Sequence, residues 1–242
     1  MMPGRYVRRA ACGLAFFMCA ATQALAGSFE VGPVSATLST DRPVAALTVR
    51  NTGTDPAVIQ LEVVSWSQAE GKDTYAPAGD VLATPPIFTI AAGASQVIRI
   101  GSRAPNSQVE RAYRLFLHEV PPPPRPGFQG MRMALEISLP VFVVPVTPIA
   151  PSLQWQATVS DGRHLRLRLS NTGSAHVRVT RFSLTSTSKK TPLPMSMKAV
   201  YVLSGTSHEW LVDAAVASGD NLHFTAQTES GIIQADLVVA TR

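Results

Sequence analysis

The chain has 242 residues, 45% of them hydrophobic, and its 21 basic and 16 acidic residues give a formal charge of +5. That length holds one large domain or two of ordinary size. Three of the basic residues (Arg5, Arg8 and Arg9) fall in the first ten positions with no acid among them. Without them the formal charge is +2, and the high isoelectric point is no argument for a nucleic-acid partner.

Taken in chain order, the first element is a targeting segment. MMPGRYVRRA is basic, ACGLAFFMCAATQ is apolar, and ALA at 24–26 fits the small-residue pattern of a cleavage site. The apolar run is too short for a comfortable membrane span and has no stop-transfer flank. The expectation is a cleaved signal over residues 1–26, export with no membrane insertion, and Gly27 as the first mature residue, with no lipidation cysteine after it. Both cysteines, Cys12 and Cys19, lie in the signal. The exported chain therefore has no disulfide and no thiolate metal site, and core packing alone must hold it together.

After the signal, short β-branched runs punctuated by turns replace any helical periodicity, which predicts an all-β sandwich. The strands expected in the first half are 29–39, 44–51, 57–68, 85–91, 95–102 and 112–120, with turns at 51–56, 69–74 and 91–93. The loop VPPPPRPGFQG (120–130) should stand stiff and open. From it emerges MRMALEISLPVFVVP (131–145), in which Met131, Met133, Leu135, Ile137 and Leu139 alternate with Arg132, Ala134, Glu136 and Ser138. Period-two alternation marks a strand with one apolar face. So long a ribbon behind an open loop either completes its own core or offers part of that face to a partner.

VVPVTPIAPS carries Pro145, Pro148 and Pro151 and reads as a short, stiff hinge. Beyond it, strands are expected at 152–159, 164–171, 176–184, 198–203, 208–214, 221–227 and 232–240. The two halves echo one another, since LTVRNTGTDPAVIQLEV and LRLRLSNTGSAHVRVTRF each set NTG between two strands. The expected architecture is thus two immunoglobulin-like sandwiches of about seven strands, over residues 27–147 and 148–242.

No constellation invites catalysis. The histidines, His118, His164, His176, His208 and His223, show no metal-ligand spacing and read as isolated side chains. No nucleophile elbow, phosphate loop or flanked carboxylate pair stands out. The reading is a binding protein, not an enzyme, with no cofactor, metal or small-molecule substrate. Trp66, in the middle of VVSWSQ, reads as core. Arg99 shares a strand face with Val97, and Arg114 shares one with Phe116 and His118. Each arginine either snorkels or pairs with an acid such as Glu110 or Glu119, which spacing alone favours, or holds an anion through its guanidinium fork.

ATPPIFTIAAGASQVIRIGS (83–102), RAYRLFLHEVPPPP (111–124) and LEISLPVFVVP (135–145), in that order, resemble the periplasmic pilus chaperones of the chaperone–usher pathway, the PapD-like proteins. The resemblance covers the mature first half, and the SLPVFV ending is closer to the archaic branch than to the classical one. It implies an L-shaped pair of sandwiches in the periplasm whose partners are pilus subunits and an outer-membrane usher. It also implies donor-strand complementation, in which the last strand of the first domain fills a groove left open in a subunit. The donor side chains would be Met131, Met133, Leu135 and Ile137, with Leu139 nearer the chaperone's own core. In the classical branch two basic residues hold the subunit's C-terminal carboxylate, but the matching positions here are Ser35 and Pro140. Arg99 and Arg114 become the candidates for that task. The alternative is a structural immunoglobulin-like subunit or adhesin; a secreted carbohydrate-binding module would want more exposed aromatic residues than three tryptophans supply.

Overall fold

The computed structural model describes residues 29–241 except 105, 124–126, 128–130, 132, 162 and 188–198. The expected signal segment, most of the 120–130 loop and Arg132 lie outside the described residues. Among those described there are strands and no helix. The first half holds β1 (Phe29–Gly32), β2 (Ala36–Leu38), β3 (Val44–Asn51), β4 (Ala57–Ala69), β5 (Lys72–Pro77), β6 (Val81–Thr84), β7 (Ile87–Ile90), β8 (Ser95–Ser102), β9 (Arg111–Val120) and β10 (Glu136–Val143). The second half holds β11 (Leu153–Asp161), β12 (His164–Asn171), β13 (Val177–Ser186), β14 (Val200–Val202), β15 (Ser207–Asp213), β16 (Asn221–Thr228) and β17 (Gly231–Ala240).

In the first half, a sheet ordered β1-β3-β8-β6 faces one ordered β2-β10-β9-β4-β5, with β7 also paired to β4. The second half runs β14-β13-β16-β17-β11-β12-β15. Alternation decides which side chains go inside. On β3, Leu47 and Val49 are buried; on β8, Ile98 and Ile100; on β9, Tyr113, Leu115 and Leu117. These close the first core. Leu165, Leu167, Leu169, Leu184 and Phe224 anchor the second. The architecture is the expected all-β pair of immunoglobulin-like sandwiches.

Three expected elements differ. The stretch 29–39 is two strands, broken by a bend at residues 33–35. Residues 72–77, partly read as turn, form β5, and every one of them is exposed. With no buried face the strand has no alternation to betray it, and only Glu70 and Gly71, at φ of 52° and 74°, make the turn. VLAT became β6, an element with too few residues to show a period.

The NTG echo is structural. Asn51 and Asn171 are each 1% exposed. Asn51 Nδ2 donates to the carbonyls of Asp55 and Ile90, and its Oδ1 accepts from the Gly53 N–H. Asn171 Nδ2 donates to the carbonyls of Ala175 and Val202, and its Oδ1 accepts from the Gly173 N–H. The second turn also seats the hinge. Thr172 and Ser174 N–H groups donate to the carbonyls of Ser152 and Ala150. A Cβ on Gly173 would stand 2.3 Å from the Ser152 nitrogen, so only glycine lets the two backbones lie this close.

A small third cluster joins the halves. Trp66, Phe142 and Leu203 are buried together, with Ala112 and Tyr201 packed against them. The Gln68 side chain pins this seam: its Nε2 donates to the Tyr201 carbonyl at 2.9 Å, and its Oε1 accepts from the Leu203 N–H at 3.1 Å and the Thr206 hydroxyl at 2.9 Å. The amide thereby pairs with a stretch of backbone from the other half much as a neighbouring strand would.

Candidate functional site

The strand read from residue 131 is regular only from Glu136, where it pairs with β9 in antiparallel register, Glu136 opposite His118 and Val143 opposite Arg111. Exposure falls along the apolar series. Met131 is 89% exposed, Met133 78%, Leu135 39%, Ile137 is half-buried against the first core, and Leu139 is 5% exposed. One face of one ribbon thus passes from solvent into the core.

The ribbon also has an unused side. The Glu119 N–H donates to the Leu135 carbonyl at 2.9 Å. Antiparallel ladders alternate, so residues 135, 137 and 139 turn their backbone groups to β9 while 136, 138 and 140 turn theirs away. On that outer side β2 runs parallel to β10 but pairs only with residues 141–143. Among the described residues, no strand covers the outer side of residues 136–140. Pro140 falls on it, where a missing N–H takes nothing from the β9 ladder. This is an edge of the kind that accepts an added strand.

The start of the strand is held in place. Glu119 Oε2 accepts from the Leu135 N–H at 3.1 Å, and His118 bridges Glu62 at 3.2 Å and Glu136 at 3.3 Å. Phe116 stacks on His118 and meets Tyr75 edge-on. The histidines are less isolated than their spacing suggested, because strands distant in sequence bring carboxylates to them. His176 lies 2.6 Å from Glu110 and 3.0 Å from Glu229, with its ring stacked on Phe142 at 3.7 Å. Burial opposes the imidazolium, but the two carboxylates outweigh it and push its pKa up to about 9. Because Phe142 belongs to β10 and Glu110 precedes β9, this charged cluster locks the second half onto the donor-strand sheet. Among the described residues, no group of three or more His, Cys, Asp or Glu is arranged to hold a metal ion.

The two arginine candidates are not brought together. Arg99 lies exposed on β8, between Ala46 and Thr84 in the opposite sheet. Arg114 lies in the cleft between the halves, its guanidinium 3.8 Å over the Trp66 ring and 5.6 Å from that of Tyr201, with a side chain 13% exposed. Its acid partner is neither Glu110 nor Glu119 but Asp73 on the unforeseen β5, at a loose 3.9 Å. Sequence reasoning missed Tyr201, Gln68 and Arg178, whose alternation shows a strand face but not what faces it.

The family model of the pili and flagellar-assembly chaperones, PapD N-terminal domain, matches residues 28–148. No curated protein sequence matches the chain. Several solved structures share its fold. One is the complex of the chaperone CsuC and the tip adhesion subunit CsuE from archaic Csu pili of Acinetobacter baumannii, with a TM-score of 0.66, 23% identity, and coverage of 89% of this chain and 99% of the other. A second is the complex of the SafA pilin with the SafB chaperone of Salmonella enterica, at 0.59, 18%, 86% and 95%. The chaperone CupB2 of Pseudomonas aeruginosa is a third, at 0.58, 16%, 87% and 100%.

Proposed function

This chain belongs to the pili and flagellar-assembly chaperones, and from that premise we propose that it captures pilus subunits by lending them β10 and the residues before it. A subunit that lacks a strand pairs with the outer side of residues 136–140, and Met131, Met133, Leu135 and Ile137 fill its groove. The observation that supports this most directly is the uncovered edge, joined to an apolar face that is exposed at one end and buried at the other. Moving each large apolar side chain into such a groove is worth about 1.5–3 kcal/mol before ordering costs. Two methionines at the exposed end suit pockets of varied shape. Arg114, in the cleft where the edge ends, anchors the subunit's C-terminal carboxylate.

The same reading includes a cleaved signal over residues 1–26, domains at 27–147 and 148–242, work in the periplasm, and hand-over to an outer-membrane usher. It assigns the chain no catalysis. The alternative of a structural pilus subunit gains nothing from the family match or the fold.

The test is periplasmic pull-down with a Leu135→Glu variant. Near-UV circular dichroism and melting temperature should match the parent, while subunit recovery is lost. Normal recovery with the folded variant would remove the donor role.

A further inference from the structure

Two arginines, one from each half, converge on a single ring. The guanidinium carbon of Arg114 on β9 lies 5.6 Å from the Tyr201 centroid, and that of Arg178 on β13 lies 5.5 Å from it. Both Nε atoms are buried and have no hydrogen-bond partner among the described residues. A charged donor left dry and unpaired is unfavourable, so two of them around one ring point to an acceptor that is still to arrive.

The neighbouring acids are already engaged. Asp73 takes hydrogen bonds from Gln68 and Tyr75 and reaches Arg114 only at 3.9 Å. Glu110 and Glu229 both face His176, at 2.6 and 3.0 Å. The two guanidinium groups thus outnumber the carboxylates close to them, and an arriving anion is favoured.

The backbone indicates which anion. A strand laid along the outer side of residues 136–140 meets β2, which takes that side from Val141 onward. Its end therefore comes beside Pro140, whose partner in register is Arg114. A chain end met by two cations is a C-terminus rather than an N-terminus.

We propose that Arg178 is the second arm of a carboxylate site shared between the two halves, with Arg114 as the first and Tyr201 as the plate both lie against. This rests on the donor-strand reading and extends it, because subunit capture then depends on the second half and on how the seam holds it. Gln68, which grips the Tyr201 carbonyl, positions the plate.

The probe is the peptide acetyl-Val-Thr-Val-Thr-Val, prepared with a free C-terminal carboxylate and as the C-terminal amide, titrated into the full chain by calorimetry. The free acid should bind about tenfold more tightly than the amide. Arg178→Gln should erase most of that ratio, as should Arg114→Gln, and Arg178→Lys should keep part of it. In nuclear magnetic resonance spectra the Nε–H signals of both arginines should move with the acid form and not with the amide. Equal affinity for acid and amide in the parent chain, or an undiminished ratio in Arg178→Gln, overturns the proposal. The ratio is insensitive to general destabilisation, since both peptides meet the same folded fraction. If Leu135→Glu still captures subunits, the donor-strand reading fails; if it does not and Arg178→Gln keeps the full ratio, this inference alone fails.

Discussion

Pro140 and Arg114 stand directly opposite one another in the register of β10 and β9. The position that would carry a lysine in the classical branch holds a residue with neither charge nor N–H, and its cross-strand neighbour holds a guanidinium instead. The charge has moved one strand inward.

That placement can be tested by moving it back. Arg114→Ala should lower subunit recovery in a periplasmic pull-down about tenfold, the size of one charge-assisted contact. Adding Pro140→Lys to that variant should restore part of the loss. Arg99→Ala, on the opposite sheet, should leave recovery unchanged.

The apolar series should divide by function at Ile137. Met133→Ala should change folding stability by less than about 0.5 kcal/mol, as expected of an exposed side chain, yet weaken capture. Leu139→Ala should cost about 2–5 kcal/mol in urea unfolding, since it empties part of a packed core.

The two NTG asparagines offer a matched pair. Asn51→Ala and Asn171→Ala should each destabilise by about 2–4 kcal/mol, because each strands a buried N–H and two carbonyls. Tryptophan fluorescence should follow the second change through Trp155 and Trp210, which pack against the second core.

Coupling of the halves should depend on pH. His176 holds its proton up to about pH 9 when folded, against about 6.5 when unfolded. A pKa raised by folding stabilises fully below the unfolded value, and the gain fades as pH climbs through the folded one. Melting temperature should therefore fall between pH 6.5 and 9, by an amount on the order of 3 kcal/mol. The slope should be absent in His176→Gln. At the acid end Glu229, whose pKa His176 depresses, contributes until pH falls through its lowered value.

What could be read from sequence was whatever leaves a period. β3, β8 and β12 were found at their full extent because each has one buried face. β5 escaped because all its side chains face water. The 131–139 alternation gave the right face for the ribbon, though regular pairing starts only at Glu136. The seam was invisible by the same logic. Trp66 was expected in a core, but its partners Phe142 and Leu203 come from distant strands, and nothing within VVSWSQ marks which core it joins. Arg114 was selected by resemblance, while Arg178 gave no signal because its alternation on β13 matches that of any surface arginine.

β2 sets a stop. From Val141 the outer berth of β10 is already taken by the chain's own residues 36–38, so every guest halts at the same buffer whatever its sequence. Alignment is then imposed by the host's architecture, leaving side chains to determine grip alone. Unrelated guests could share one dock, and a β2 extended by a residue or two would shorten it for all of them alike.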